Sequence, residues 1–261
     1  MIKLNNLNLK NIAENLIETF LKAGEIAKDI SNRGVKITIK PDKSPVTDGD
    51  LAVDKHLRTK IESLSPDISI ISEESVNLKT KIEEKNFWLI DPIDGTRDYI
   101  KKRNEYTLNA ALIIDLKPVL GVIYAPAKDR LFYSYGKGFA FEINNGKKKN
   151  LNCKKINSNE IIGLENSGTT PNEVLDIYKK YKVSRMFKMS SSLKFCALAA
   201  GEADIYAAKA RAYEWDIAAG HAILEHAGGR MTTHEEEKIF YGKDNYKNLS
   251  ILAKRANNLE K

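Results

Sequence analysis

Residues 87–96 hold the side chains best suited to chemistry in this chain. Four apolar residues predict a short buried strand, and two carboxylates, Asp91 and Asp94, follow it three residues apart. Pro92 fixes φ and has no N–H group, so the chain bends where the strand ends and can turn both carboxylates toward one point. Magnesium prefers hard oxygen ligands such as carboxylates and phosphate oxygens. The stretch therefore predicts a metal and phosphate site, although Asp-Pro and Asp-Gly are also ordinary turn dipeptides.

A second pair of acids follows another short apolar strand, which is predicted over residues 68–71. Adjacent glutamates usually lie in a solvated turn, because carboxylates are rarely buried unless they are paired. Glu73, however, stands just past its strand, as Asp91 does. If the two strands are parallel neighbours, both carboxylates emerge at the edge of the sheet where ligands bind in open α/β folds. We therefore expect Glu73 to join the metal site, and we do not assign Glu74 to it.

Asp216 opens an alanine-rich helix that ends at Gly228 and Gly229. On local grounds we favour an N-cap role for Asp216. The same position also points a carboxylate out of the fold beside free N–H groups, where an anionic substrate and a cation can meet. Three serines, residues 190–192, precede another alanine-rich helix and have the same two interpretations. Lys194 lies in the first turn of that helix, where it opposes the helix dipole, so it indicates an anionic partner.

The composition is that of a globular protein that favours anionic ligands. Of 261 residues, 42 are Lys or Arg and 35 are Asp or Glu, which gives a net charge of +7. The lysine-rich run at residues 147–149 lacks interleaved aromatic residues, so no nucleic-acid partner is expected. A binding module with a vestigial site is the non-enzyme alternative, but such a module has no need to gather carboxylates against its own net charge.

No apolar run approaches the roughly 20 residues that a membrane-spanning helix needs, so no stable membrane insertion is expected. Residues 1–6 lead into a polar segment without a signal-peptide core, so export is not expected either. Cys153 and Cys196 are the only cysteines, and neither has a second cysteine at metal-ligand spacing. These features predict a protein of the reducing cytoplasm. Peripheral contact with the inner membrane stays open, as does the choice between a monomer and a homodimer.

The order of helical and strand patterns predicts a mixed α/β (α+β) fold. Up to residue 152, we expect helices over residues 12–30 and 50–64, and strands over residues 35–39, 107–114, 119–124, 131–135 and 139–143. The last four strands are separated by Pro and Gly, which indicates an antiparallel meander, and residues 144–146 predict a hairpin turn before a solvated lysine rim. From residue 153 on, strands at residues 161–162, around 186 and at 203–207 alternate with helices over residues 171–181 and 191–200.

Four separated pieces of the sequence resemble one family in order and spacing. They are Asp48, Glu73-Glu74, Asp91-Pro92-Ile93-Asp94-Gly95-Thr96 and Trp215-Asp216-Ile217-Ala218-Ala219. Together they resemble the magnesium-dependent, lithium-sensitive phosphatases related to inositol monophosphatase, over about residues 12–253. The resemblance implies a layered αβαβα sandwich with two domains and a site in the cleft between them. Residues 1–152 would carry the metal motifs, and residues 153–261 would carry Asp216 and the substrate contacts.

The same resemblance implies two to three magnesium ions in each site. Glu73, Asp91 and the carbonyl group of Ile93 would bind one ion. Asp91, Asp94 and Asp216 would bind a second, and a weaker third ion would also use Glu73. Paired cations of this kind lower the pKa of a bound water and stabilise both the attacking and the leaving oxygen of an in-line displacement.

The resemblance further implies roles for the residues that meet the substrate. Thr96, oriented by Asp48, would position the attacking water, and no covalent phosphoenzyme would form. The backbone of Gly95 and Thr96 would hold the phosphate, and Ser191 and Lys194 would face the nucleoside or its 5'-phosphate. The expected catalytic residues are thus Asp48, Thr96 and Glu73, and the metal residues Glu73, Ile93, Asp94 and Asp216 would also border the substrate.

The segments between the motifs resemble bacterial 3'(2'),5'-bisphosphate nucleotidases of the CysQ type. They are residues 44–48, 103–107, 191–196 and 214–216. This implies hydrolysis of 3'-phosphoadenosine 5'-phosphate to AMP and phosphate, which recycles a by-product of sulfur metabolism. One departure matters, because Ala208 stands where such relatives commonly carry an arginine for the other phosphate. Lys209 or Arg211 could replace that charge, and an inositol-1-monophosphatase or a broad-specificity sugar phosphatase is the alternative.

Overall fold

The computed structural model describes residues 8–76, 83–153, 160–255 and 259. Residues 1–6, on which the expectation of no export depends, lie outside the described part. Its helices are α1 (Leu9–Arg33), α2 (Asp48–Leu64), α3 (Thr96–Ile100), α4 (Asn172–Lys180), α5 (Leu193–Ala200) and α6 (Glu214–His226). Its strands are β1 (Ile37–Ile39), β2 (Pro45–Thr47), β3 (Ser69–Ser72), β4 (Phe87–Asp94), β5 (Thr107–Ile114), β6 (Lys117–Ala125), β7 (Arg130–Ser134), β8 (Ala140–Asn144), β9 (Lys147–Asn150), β10 (Ile161–Glu165), β11 (Val183–Lys188), β12 (Ile205–Ala208), β13 (Arg230–Thr232) and β14 (Ile251–Lys254).

A seven-stranded sheet carries the central motif, in the order β3-β4-β5-β6-β7-β8-β9. Strands β3 and β4 are parallel neighbours, as the sequence predicts, and all the other pairs of this sheet are antiparallel. The predicted meander and the hairpin before residue 147 are therefore confirmed. The expected lysine rim is more regular than predicted, because residues 147–150 form the edge strand β9. Charged residues on an exposed edge discourage pairing with another sheet.

Helices α1 and α2 pack on one face of this sheet. Both are confirmed, and each begins slightly earlier than predicted because a polar residue caps it, Asn8 for α1 and Thr47 for α2. Apolar residues at helical spacing on α1, such as Leu16 and Phe20, are buried in one core with Leu57 of α2 and the facing strands. No helix in the described part of the chain combines the length and apolar character needed to cross a bilayer.

A five-stranded sheet follows, in the order β11-β10-β12-β14-β13. Strands β10, β11 and β12 run parallel, and β14 pairs antiparallel with both β12 and β13. The alternation predicted for residues 161–207 is confirmed. Helix α4 packs its buried residues Val174 and Tyr178 against this sheet, in a core with Ile205 and Leu252.

Helices α5 and α6 lie between the two sheets, so the order of layers is helix, sheet, helix, sheet, helix. This is the predicted αβαβα sandwich. Helix α6 approaches the seven-stranded sheet closely at Gly121, where an added Cβ atom would stand 2.4 Å from the carbonyl oxygen of Ala219. The seven-stranded sheet ends at Asn150 and the five-stranded sheet begins at Ile161, but one apolar core includes residues of both. The division at residue 152 stays a prediction.

Candidate active site

Three elements bring carboxylates from distant parts of the chain to one point. Glu73 follows β3, and its backbone N–H donates to the carbonyl oxygen of Ile90 on β4 (3.1 Å). Asp91 and Asp94 lie at the end of β4, where the pairing with β5 shifts register between them, around Pro92. The third element is the first turn of α6, which carries Asp216.

Asp216 is not the N-cap that local reasoning favours. The cap position belongs to Tyr213, and Asp216 stands three residues further on, where its carboxylate accepts the Tyr213 backbone N–H (2.8 Å). Glu214 fixes the start of α6. It is fully buried, and its carboxylate accepts hydrogen bonds from the backbone N–H groups of Gly242 (2.8 Å) and Lys243 (2.9 Å). These contacts fix the helix end that carries Asp216.

Ligand oxygens of Glu73, Asp91 and Asp216 all lie within 4.8 Å of one another. Asp91 is 1% exposed, and among the described residues its Oδ1 atom is buried without a hydrogen-bond partner. Buried polar atoms are almost always paired, so this cluster has room for a further partner such as a bound cation. A set of carboxylate oxygens fits magnesium, because that ion prefers hard oxygen ligands.

The pKa shifts of the clustered acids also indicate a cation site. Burial, together with the charges of Glu73, Asp94 and Asp216, raises the pKa of Asp91 well above its usual value. Burial and the neighbouring Asp94 and Glu73 likewise raise the pKa of Asp216 well above normal. Burial also raises the pKa values of Glu73 and Asp94. Acids that hinder one another's ionisation in this way are stabilised by a bound cation.

Lys40 forms ion pairs with the glutamates at this site. Its ammonium lies 3.3 Å from Glu73 and 2.8 Å from Glu74. Glu74, which the sequence leaves outside the metal site, is therefore paired with a lysine. Neither Glu74 nor the expected metal residue Asp94 belongs to the set of three carboxylates that lie within 4.8 Å of one another.

The structure corrects the expected partner of Thr96. Its hydroxyl lies 3.3 Å from Asp50 and 3.1 Å from the carbonyl oxygen of Ile93. Asp48 instead accepts the backbone N–H of Lys36 (2.9 Å). The expected contact between Asp48 and Thr96 is wrong because Asp48 is the first residue of α2, whereas Asp50, two residues later, is turned into the site.

Asp50 is a candidate site residue that sequence reasoning missed. It is 1% exposed, and its carboxylate accepts the backbone N–H (2.7 Å) and the hydroxyl (2.5 Å) of Thr47. Burial raises the pKa of Asp50 to about 6. The spacing Thr47-x-x-Asp50 is that of a helix capping box, and this signal could have placed Asp50 rather than Asp48 inside the fold.

Gly95 connects β4 to the short helix α3 in a left-handed conformation, with φ of +92°. A Cβ atom there would come within 3.2 Å of the carbonyl oxygen of Glu105, so the position suits glycine for both reasons. Gly95 and Thr96 line the cleft beside Glu73 and Asp94. The backbone that the sequence assigns to phosphate therefore stands next to the acids.

The start of α5 forms another part of the site. Ser191 has a φ of +56°, and the backbone N–H of Ser192 donates to Asp94. Lys194 is 5% exposed, and its ammonium donates to the carbonyl oxygens of Ser191 (2.6 Å) and Met189 (3.3 Å). Burial lowers the pKa of Lys194 to about 8. The structure thus places Ser191 and Lys194 at the cleft, as expected.

The cleft has a volume of about 420 Å³ and extends past the acids to residues 166–168, Tyr206 and Arg211. Ala208, where the resemblance leads us to expect an arginine, also lines it. Of the two replacement cations considered, Lys209 is paired with Glu173 (3.0 Å). Arg211 lines the cleft, and its side chain has no ion-pair partner among the described residues. The structure therefore distinguishes two residues that the sequence left equal.

A layered fold with carboxylates gathered at a cleft is typical of metal-dependent phosphatases. The chain matches the inositol monophosphatase family over residues 8–261, so it belongs to that family. It is 40% identical over 205 residues to the 3'(2'),5'-bisphosphate nucleotidase CysQ of Buchnera aphidicola, covering 78% of this chain and 76% of that protein. The CysQ protein of Salmonella typhimurium is 34% identical over 203 residues, covering 77% and 81%.

A solved structure agrees with these matches. The crystal structure of CysQ from Bacteroides thetaiotaomicron superposes with a TM-score of 0.77 at 27% identity, over 95% of this chain and 97% of that one. That protein is described as a bacterial member of the inositol monophosphatase family. The chain is therefore an enzyme, a phosphatase of the CysQ type.

Proposed function

We propose that the enzyme is a magnesium-dependent phosphatase that hydrolyses 3'-phosphoadenosine 5'-phosphate to AMP and phosphate. The observation that carries this proposal is that a single cleft combines clustered carboxylates with an arginine, Arg211, that forms no ion pair with any described residue. A substrate with two phosphate groups satisfies both features, since cations held by the acids can take one phosphate and Arg211 the other. The names of the Buchnera and Salmonella relatives support the choice.

The metal residues would be Glu73, Asp91, Asp94 and Asp216, with the carbonyl group of Ile93. Two to three magnesium ions, when bound, would offset the carboxylate charges, bind phosphate oxygens and make water acidic enough to attack.

The chain's own residues position the attacking water. The Thr96 hydroxyl has two acceptors, Asp50 and the Ile93 carbonyl oxygen, so its proton is directed into the protein. Its lone pairs are then free to accept a hydrogen bond from water in the cleft. A bond forms between the water oxygen and phosphorus while the bond from phosphorus to the 3'-oxygen breaks. The proton that the attacking water loses passes through the Thr96 hydroxyl to Asp50, and solvent water in the open cleft gives the leaving 3'-oxygen its proton. No covalent phosphoenzyme is needed.

The rest of the cleft would bind and orient the nucleotide. The backbone of Gly95 and Thr96 would hold the reacting phosphate, and Ser191 and Lys194 would face the nucleoside side of the substrate. Arg211 would take the 5'-phosphate, which replaces the charge lost at Ala208. We place the reaction in the cytoplasm, as recycling of a sulfur-metabolism by-product, and expect lithium to inhibit it.

Phosphate release from two substrates tests the proposal. With magnesium present, we expect the kcat/KM for 3'-phosphoadenosine 5'-phosphate to exceed that for inositol 1-phosphate by about a hundredfold. The Arg211 contact to the second phosphate and the contacts of Ser191 and Lys194 on the nucleoside side would together supply about 3 kcal/mol. Chelation should stop both reactions. A preference for inositol 1-phosphate or for sugar phosphates would replace the proposed substrate, and release that continues in excess chelator would refute the metal-dependent mechanism.

A further inference from the structure

Asn109 on β5 lies directly opposite Asp91 on β4 in the antiparallel register. Both side chains are 1% exposed. Opposed residues of an antiparallel pair project from the same face of the sheet, with Cβ atoms about 4.5–5.5 Å apart. The Asn109 amide is therefore a neighbour of the carboxylate at the centre of the acidic cluster, although no sequence motif includes it.

These two neighbours carry complementary polar atoms that the rest of the protein leaves unused. Among the described residues, the Nδ2 atom of Asn109 and the Oδ1 atom of Asp91 are both buried without a hydrogen-bond partner. One is a donor and the other an acceptor. Buried polar atoms without partners are rare, and two of opposite kind on register-paired residues indicate a shared role.

The orientation of the Asn109 amide is set by α5. The Ser192 hydroxyl donates to Asn109 Oδ1 (2.6 Å), and it contacts the Thr107 hydroxyl at 2.8 Å. Because Ser192 has one hydroxyl proton and gives it to Asn109, Thr107 must be the donor in the second contact. With its oxygen held toward Ser192, the amide directs its two N–H bonds away from α5.

We propose that Asn109 is a positioning residue for Asp91, and that Ser192 orients the Asn109 amide. The two side chains are not hydrogen-bonded to each other here. When the Asp91 carboxylate turns to the orientation that a metal ion requires, the neighbouring amide N–H becomes its donor, an inference that rests on the proposed metal site. Ser192 also donates its backbone N–H to Asp94, so one serine at the start of α5 supports both carboxylates of β4. Partners behind a metal ligand fix its geometry in this way in many metal sites.

The test measures magnesium binding rather than turnover. The measured quantity is the midpoint, the magnesium concentration that gives half of the full rise in melting temperature. In Asn109→Leu, which removes the amide, we expect this midpoint to rise about tenfold or more, because partners behind metal ligands contribute about 10- to 100-fold to affinity. Asn109→Ser retains a hydroxyl donor and should recover most of the loss. A midpoint unchanged in Asn109→Leu overturns the proposal, and so does an Asn109→Ser variant as weak as Asn109→Leu.

Ser192→Ala tests the second half of the proposal. It should raise the midpoint about threefold alone and add nothing in the Asn109→Leu background, since residues that act through one another are not additive. Full additivity would show that Ser192 does not act through Asn109. If Asn109→Leu fails to fold, the other two variants, Asn109→Ser and Ser192→Ala, test the proposal instead. A magnesium midpoint equal to that of the parent protein in both variants would reject it.

Ser65→Ala is the matched control. Ser65 accepts a buried hydrogen bond from Trp88 (2.9 Å), which lies on β4 as Asp91 does but away from the acids. We expect this variant to melt at a lower temperature without magnesium and to keep the parental midpoint. If magnesium does not change the melting temperature of the parent protein, the proposed function itself is refuted. If the parent protein responds to magnesium and the variants keep its midpoint, only the role of Asn109 is refuted.

Discussion

The two sides of the cleft are built differently. The acidic side stands on regular structure, because Glu73 follows β3, Asp91 and Asp94 end β4, and Asp216 lies in the first turn of α6. The opposite side uses connecting segments, among them residues 166–168 after β10 and the exposed Arg211 between β12 and α6. Functional groups on rigid elements are held precisely, whereas loops tolerate change. The difference indicates that the acidic side determines the chemistry and the loop side determines the substrate.

The two sides also differ in what they cost the fold. Four acids lie on the acidic side, and burial raises the pKa of each of them. For Glu73, Asp91 and Asp216, repulsion by neighbouring acids of this group raises the pKa further. On the loop side, Arg211 is exposed and has no ion-pair partner among the described residues, so it remains solvated. Substitutions on the acidic side should therefore lower activity and raise the stability of the fold, and substitutions on the loop side should change substrate selectivity alone.

The largest effect is expected for Asp91→Asn. Removing the central carboxylate should lower kcat about a thousandfold or more, since metal-ion stabilisation of the transition state contributes several kcal/mol. The melting temperature without magnesium should rise, because one converging negative charge is gone. Steady-state kinetics and thermal melts measure the two effects, with Asp129→Asn, an acid that contacts Tyr124 instead, as the control. Near-normal turnover would remove Asp91 from the mechanism.

The pair Asp50 and Asp48 should give the next largest effect. In Asp50→Asn the Thr96 hydroxyl loses its anionic acceptor, and we expect kcat to fall about a hundredfold, as for the loss of a group that assists proton transfer. In Asp48→Asn only the contact to the Lys36 N–H is weakened, and kcat should stay within about twofold. Equal losses in both variants would contradict the assignment of Asp50 to the site.

Most of the acidic side could be predicted from the sequence, because its residues follow from patterns with a local physical cause. A buried strand before Asp91, a parallel neighbour before Glu73 and an alanine-rich helix after Asp216 each leave a pattern of apolar spacing. The error at Asp48 arose because two acids stand two residues apart at a helix start, and only the capping geometry shows which of them faces inward.

The loop side could not be predicted to the same degree. Lys209 and Arg211 are equivalent as charges in the sequence, and the choice between them depends on Glu173 of α4, which reaches Lys209 across the surface. Asn109 was hidden for a related reason. A single polar residue in a buried strand has no local signal, and its importance comes from the register that sets it opposite Asp91.

Arg211→Ala should have a smaller and more selective effect. We expect the KM for 3'-phosphoadenosine 5'-phosphate to rise about tenfold, since a hydrogen bond to a charged group contributes about 1.5–3 kcal/mol. The KM for adenosine 3'-phosphate, which lacks the second phosphate, should not change. Lys209→Ala is the matched control and should leave both values as they are, because Lys209 is paired with Glu173. A rise of the same size for both substrates would contradict a 5'-phosphate contact.

The smallest effect is a pH profile with two limbs, one from Asp50 and one from Lys194. Asp50, whose pKa is raised by burial to about 6, must be ionised to accept the Thr96 proton, so kcat/KM should fall as the pH drops through that value. Lys194, whose pKa is lowered by burial to about 8, must be protonated to attract a phosphate, so kcat/KM should fall as the pH rises through 8. Each limb should halve kcat/KM at its pKa.

Unfolding does not explain the acid limb, and the sign of the linkage shows why. The pKa of Asp50 in the folded protein lies above its usual value of about 3.9, so protonation favours the folded state as the pH falls through this range. Activity and the contribution of Asp50 to stability therefore change in opposite directions. Asp50→Asn should remove the acid limb from its residual activity, and Lys194→Arg, which stays protonated, should move the basic limb upward. A profile that is flat from about pH 5 to about pH 9 would separate both residues from the reaction.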